Sequence, residues 1–321
     1  MSRFAGLPEN YDPWLVLSVR ERPEGGNLTL AVAPDPLLPP SAARELVVLV
    51  HGFNNHMGEA ADAYLAFRDR QYPKAGLVPP ALEPALGDFF WPGDADWSGV
   101  LDKADFLVYP TAVNTAPHAG QRLADYLLTL PNLILLNFVG HSLGCRVVLE
   151  CIDALARANA PVIRRVVLMA AAVPAFMVES GGALARAVET AQSVVILHST
   201  DDPVLHYAFP PGQTIAGIGE GFLPTALGRF GPPAGMVGHV EEYRVAGAGH
   251  SDYWGAQGDG ASAAAESARA AAAGFIADAL QLATLARSVA GARRPAAGTL
   301  VGFPRRAADA RNLPLRRVGG R

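Results

Sequence analysis

Gly140-His141-Ser142-Leu143-Gly144 sets a serine between two glycines, directly after an apolar run, Leu133 to Val139, that reads as a strand. A serine hydroxyl is a poor nucleophile at neutral pH, so it needs exposure, a base within hydrogen-bond reach and a group that orients that base. Glycines on both sides of a strand-to-helix turn allow the sharp bend and close packing that project Ser142 from the sheet. At the start of the following helix the N–H of Leu143 is unpaired and lies at the positive end of the helix dipole, suited to an oxyanion. A second donor is expected at His51-Gly52-Phe53, after the earlier run Glu45 to Val50, with the Phe53 N–H as the candidate. His51 and Asn54 are candidate supports of that turn, and Asn54 suits a plain structural turn equally well.

Two further loops carry the partners. The run Ser193 to His198 discharges into Ser199-Thr200-Asp201-Asp202, where Asp202 is the preferred orienting carboxylate and the adjacent Asp201 the alternative or a support. Ala248-Gly249-His250-Ser251 follows the last strand-like run, Glu242 to Val245, and supplies His250 as the candidate general base. Asp252 is too near His250 in sequence to orient it and is expected to brace the loop. His141 is expected to pack or to hydrogen-bond a loop. His56, His118, His198, His206 and His239 show no H-E-x-x-H spacing and no cysteine partners, so no metal and no cofactor are expected.

These loops need a scaffold. Trp14 to Val19 and Leu28 to Val32, split by Pro23-Glu24-Gly25-Gly26, read as a leading hairpin. Strand runs at 45–50, 88–92, 133–139, 165–170, 193–198 and 242–245 alternate with helical stretches at 59–70, 119–130, 143–158 and 183–191. That alternation predicts a mainly parallel sheet covered by helices on both faces, with right-handed crossovers. A polar loop through Asp94, Asp96 and Trp97 follows the second of these strands. Val204 to Val240, rich in glycine, proline and aromatics, is too long for an ordinary connection and reads as a lid or substrate-binding excursion. Its Phe209, Phe222 and Phe230 are better pocket candidates than Phe89, Phe90 and Trp91, which suit the core. Ala261 to Ala290 reads as an alanine-rich helix with Glu266, Arg269, Asp278 and Arg287 on a solvated face.

Composition bounds the rest. With 50% hydrophobic and 17% charged residues, most of the chain can offset its ordering entropy by burial, and residues 1–292 are expected to form one domain. A net charge of -4 supplies no field for nucleic acid or an anionic membrane. The longest apolar stretch, Val166 to Val178, contains Pro174 and falls short of the roughly 20 residues a membrane span requires. Early acids and prolines stand where an export signal would need a basic and then an apolar segment, so a cytoplasmic location is expected. Cys145 and Cys151 fall on different faces of one helix and are expected to be buried free thiols. The basic tail, 293–321, is expected to be a mobile, solvated end; no partner is assigned to it.

With His51-Gly52-Phe53-Asn54-Asn55, Phe90-Trp91-Pro92 and the Ser142 turn in view, the chain resembles the alpha/beta-hydrolase superfamily of esterases and lipases from about Glu45 to Ala290. The motifs look most like a poorly characterised bacterial branch. The resemblance implies an alpha/beta-hydrolase fold, Ser142, Asp202 and His250 as nucleophile, acid and base in the chain order that fold uses, and an oxyanion hole at Phe53 and Leu143. It implies a small-molecule ester or acyl substrate. Ester hydrolysis through an acyl-enzyme is the expected activity; a thioesterase, an acyltransferase, or a binding protein on the same scaffold are the alternatives.

Overall fold

The computed structural model describes residues 4–8, 11, 13–36, 44–94, 105–158, 161–216, 223–255 and 262–292. Asp96 and Trp97, Phe222 and the basic tail lie outside them.

An antiparallel hairpin opens the chain, β1 (Val16–Arg20) against β2 (Leu28–Asp35). The parallel strands follow as β3 (Glu45–Val50), β4 (Leu86–Phe90), β5 (Leu135–His141), β6 (Val162–Met169), β7 (Ser193–His198) and β8 (Val240–Arg244). All eight form one sheet in the order β2-β1-β4-β3-β5-β6-β7-β8. The central strands are runs of valine, leucine and isoleucine buried on both faces, as helices covering both sides require.

Those helices are α1 (Met57–Lys74), α2 (Asp105–Leu128), α3 (Gly144–Ala156), α4 (Ala185–Thr190), α5 (Phe209–Ala216), α6 (Leu227–Phe230), α7 (Ala263–Leu280) and α8 (Leu282–Ala292). None among the described residues is long and apolar enough to cross a membrane. On α1 the buried Met57, Ala60, Ala61, Tyr64, Phe67, Arg68, Gln71 and Tyr72 repeat at helical spacing and face the core. The helix starts earlier than its apolar pattern suggests because His56 and Glu59 form a reciprocal cap, each satisfying a backbone N–H of the other's position.

Three readings need correction. The alanine-rich stretch is two helices, broken at Gln281, whose backbone is left-handed (φ 49°). Its charges are not simply solvated: Glu266 pairs with Arg70 of α1, and Arg269 donates to Asp252 at 2.9 Å. Phe230 is half exposed and stands outside the cavity described below. Phe89, Phe90 and Trp91 are fully buried core residues, and Cys145 and Cys151 are buried and unbridged, as expected.

One buried ion pair joins α1 to the sheet. Asp88 of β4, wholly buried, accepts from Arg68 Nη2 at 3.0 Å and from the Tyr11 hydroxyl; Arg68 Nε also reaches Glu83 at 3.0 Å. Burial lifts the Asp88 carboxyl above the ordinary range while Arg68 pulls it back down. Removing one partner strands the other charge away from water. Arg68→Ala is therefore expected to lower unfolding free energy by about 3–5 kcal/mol in urea titration, far more than an exposed arginine would.

Candidate active site

Strand order reverses between β3 and β5: from β3 the chain moves to β4 on one side, then returns to place β5 on the other. Such a reversal opens a crevice at the carboxyl ends of the two strands. Register aligns those ends, with Val50 opposite Gly140, His141 opposite Met169 and His198 opposite Arg244, so the loops after β3, β5, β7 and β8 emerge at one edge.

Ser142 stands at the turn from β5 into α3 with a left-handed backbone, φ 52°. That is strained for a serine, and surrounding bonds hold it: its N–H donates to Met169 at 2.9 Å and its carbonyl accepts from Ala172 at 3.1 Å. A side chain at residue 144 would come within 2.2 Å of the His51 carbonyl oxygen, and one at residue 140 within about 3 Å of the Cys145 backbone. Only glycine fits at 144, and at 140 any larger residue is crowded, which gives the G-x-S-x-G spacing its steric reason.

The three candidate side chains converge. His250 Nε2 lies 2.8 Å from Ser142 Oγ, and His250 Nδ1 lies 2.7 Å from Asp202 Oδ2. Asp202 is fully buried, and its other oxygen accepts the Leu205 N–H at 3.0 Å. Adjacent Asp201 is exposed and accepts instead from the Gly247 N–H at 2.9 Å, tying the β7 loop to the turn that leads to His250. Asp252 braces the same loop, accepting from Gly249 at 2.8 Å and from Arg269.

At the end of β3, the Cβ that Gly52 lacks would sit 2.8 Å from Ser142 Cβ, so the two turns touch and Phe53 follows at once. Neither the Phe53 nor the Leu143 N–H donates to a backbone acceptor among the described residues. Asn54 adopts φ 58°, a left-handed conformation asparagine tolerates, and its N–H donates to Gly93 at 2.9 Å. His51 is buried beneath this turn. Its Nδ1–H donates to the Gly52 carbonyl at 2.9 Å while Nε2 accepts the Trp91 N–H at 3.2 Å, an arrangement only the neutral ring provides. Burial, with a smaller contribution from Arg20, pushes its pKa down to about 3. Tyr64, which the sequence did not single out, joins the ends of β3 and β4 by accepting from the His51 N–H and donating to the Phe89 carbonyl.

His141 makes the loop hydrogen bond expected of it. Its Nε2–H donates to the His250 carbonyl at 2.7 Å, so the residue before Ser142 holds the backbone of His250. Burial, then the neighbouring His250, pushes its pKa down to about 3, and the neutral ring leaves Nδ1 without a hydrogen-bond partner among the described residues. His141→Phe should let the His250 loop drift and reduce kcat by about 10- to 100-fold with KM little changed, since misplacement by about 1 Å costs on that order. His141→Gln, which keeps a donor, should recover most of the loss; equal defects in the two variants would leave only a packing role.

The convergent residues open onto a cavity of about 630 Å³. Ser142, His141 and His250 line it with Phe53, Tyr109, Leu205, Phe209 and Trp254. The excursion after Asp202 supplies one wall, entering through a π-helical turn, Val204–Ala208, and continuing as α5, which is tied to α2 by the Tyr109–Gln213 hydrogen bond of 3.2 Å. Phe209 therefore lies where the sequence reading expects a pocket residue. Tyr109 and Trp254 carried no signal in the sequence, because nothing local says that α2 and the His250 loop meet over Ser142. Among the described residues, no group of three or more His, Cys, Asp or Glu side chains is placed to hold a metal.

Comparison with known proteins adds the following. Residues 94–220 match a family described as a protein of unknown function, DUF726, a match that takes in Ser142 and Asp202 but not Phe53 or His250. A 153-residue segment is 31% identical to the transmembrane and coiled-coil domain-containing protein STS1 of Oryza sativa subsp. japonica, covering 45% of this chain and only 22% of the rice protein. Among solved structures, similar chains include LpqC, a poly(3-hydroxybutyrate) depolymerase from Bordetella parapertussis, at 17% identity over 76% of this chain and 84% of that one, TM-score 0.32. Another is carboxyl esterase 2 (TmelEST2) from Tuber melanosporum, at 11% identity over 78% and 80% of the two chains, TM-score 0.32. From its own strand order, its parallel register and the strained serine turn after β5, the chain has an alpha/beta-hydrolase fold.

Proposed function

We propose that the protein is a serine hydrolase that cleaves a carboxylic ester through an acyl-enzyme. The observation that carries this is the hydrogen-bonded chain Asp202–His250–Ser142, with contacts of 2.7 and 2.8 Å, opening onto the cavity. A binding protein on a retired scaffold has no need of a strained serine backbone aligned with a buried acid and a half-buried imidazole.

In this reaction His250 Nε2 takes the Ser142 proton as Oγ attacks the acyl carbonyl, while Asp202 holds the ring in the tautomer that leaves Nε2 free and stabilises the imidazolium. The negative oxygen of the tetrahedral intermediate is met by the N–H groups of Phe53 and Leu143. His250 then gives the proton to the departing alcohol. Water, deprotonated by the same imidazole, attacks the acyl-enzyme; its collapse releases the acid and returns the proton to Ser142. The bacterial branch that the His51–Asn55 and Phe90–Pro92 motifs resemble belongs to this proposal too; the similar rice protein is not bacterial, so the branch rests on those motifs alone.

A fluorophosphonate probe tests the reading. One covalent adduct by intact mass on the full chain, mapped to Ser142 by peptide digestion, is the expected result. A folded protein that stays unlabelled at millimolar probe over hours would overturn it.

A further inference from the structure

The two walls of the cavity differ in chemistry. One is the segment that begins the excursion, where Val204, Leu205, Ala208 and Phe209 face the cavity with carbon. The other is the turn after β3 and the first turns of α1, which contribute Asn54, Asn55, Glu59 and Asp62. Among the described residues, the lining contains these two carboxylates and no lysine or arginine. Glu59 is partly occupied, accepting the His56 N–H in the helix cap and lying 3.5 Å from the His56 ring. Asp62 is exposed and has no cationic partner within salt-bridge distance among the described residues.

A substrate acylating Ser142 must place one part of itself along each wall. A sphere of the cavity's volume is about 11 Å across, so a charge on the bound substrate stays within about a Debye length of Asp62. At such distances, with an effective dielectric between those of a protein surface and water, one carboxylate alters the binding of a unit charge by about two- to fivefold, in opposite directions for the two signs. Apolar carbon on one side, and on the other a carboxylate with no cationic partner among the described residues, suit a particular kind of ester.

Resting on the hydrolase reading above, we infer that the substrate is an ester of an apolar acyl group with an alcohol that carries an amine or ammonium group. The acyl chain lies along Val204–Phe209 and the cation lies beside Asp62. Esters whose alcohol part bears a carboxylate or phosphate are disfavoured by a similar factor.

Three butyrates with alcohol parts of similar size test this: butyrylcholine, its uncharged isostere 3,3-dimethylbutyl butyrate, and 2-carboxyethyl butyrate. Hydrolysis is followed by acid release at low ionic strength, with fluorophosphonate labelling measured on the same preparation. The expected order of kcat/KM is cationic, neutral, anionic, spanning about four- to 25-fold. The span should contract in 0.5 M salt and in Asp62→Asn. An anionic ester turned over as fast as the cationic one, or a span that Asp62→Asn leaves intact, would overturn the inference while leaving the hydrolase reading standing. Labelling of Ser142 without turnover of any of the three also overturns this substrate class. Absence of both labelling and turnover removes the hydrolase reading and the inference with it.

Discussion

Ser142→Ala should lower kcat for any ester the protein hydrolyses by about a millionfold, the scale seen when a serine nucleophile is removed from a working triad. His250→Ala should approach the same loss, and the double variant should be scarcely worse than either single one, because the side chains act as one unit. Asp202→Asn is the more informative change. It keeps the size of a side chain that is wholly buried and accepts the Leu205 N–H, but it cannot hold the His250 Nδ1–H in the required tautomer. A loss of about ten-thousandfold in kcat with an intact fold is expected. Asp201→Asn serves as the contrast: its carboxylate is on the Gly247 N–H, so its effect should stay within about tenfold. If Asp201→Asn cost more than Asp202→Asn, the assignment of the acid would be wrong.

Acid should unfold this protein through two histidines rather than through its surface. His51 and His141 are both buried and both held near pKa 3, against an ordinary value of about 6.5. In the unfolded chain both take up protons as pH falls below about 6.5; in the folded one neither does until about pH 3. The unfolded state then binds up to two more protons, so stability is complete above about pH 7 and declines as pH falls through the interval between the two values. The slope approaches about 3 kcal/mol per pH unit between pH 5.5 and pH 4, and the loss by pH 4.5 is on the order of 5 kcal/mol, comparable with the whole stability of many domains. Asp88 opposes this in part, since its carboxyl is held above the ordinary range and takes up its proton more readily when folded. Urea unfolding from pH 7 to pH 4.5, followed by circular dichroism, measures the slope. His141→Gln should cut it by about half, whatever that change does to stability at neutral pH. An unchanged slope would mean that the buried imidazoles do not govern acid unfolding.

Much of this site was legible in one dimension. The parallel sheet followed from aliphatic runs alternating with helical periods, since a strand covered on both faces has no room for polar alternation. The Ser142 turn was legible because its glycines answer crowding at the turn, against the following helix at residue 140 and against the end of β3 at residue 144. The loops bearing Asp202 and His250 could be named because they follow strands, and in a parallel sheet successive carboxyl ends share an edge. Long-range partners were not legible in the same way. The sequence favours Asp202 over Asp201 and leaves the neighbour as the alternative, because the turn that buries residue 202 and exposes residue 201 is formed only in the folded chain. The alanine-rich stretch gave no warning of its break at Gln281, because propensity favours continuing the helix and the packing of α8 overrides it. His141 could be given a loop hydrogen bond but not its acceptor, the His250 carbonyl, which lies 109 positions away. Residue type and order along the chain thus determined the fold class and named the candidate site residues. Tertiary packing alone decided which side chains meet, which imidazoles are kept neutral, and that α1 turns two carboxylates toward the cavity beside Ser142, because burial and distance are properties of the folded chain rather than of any local stretch of it.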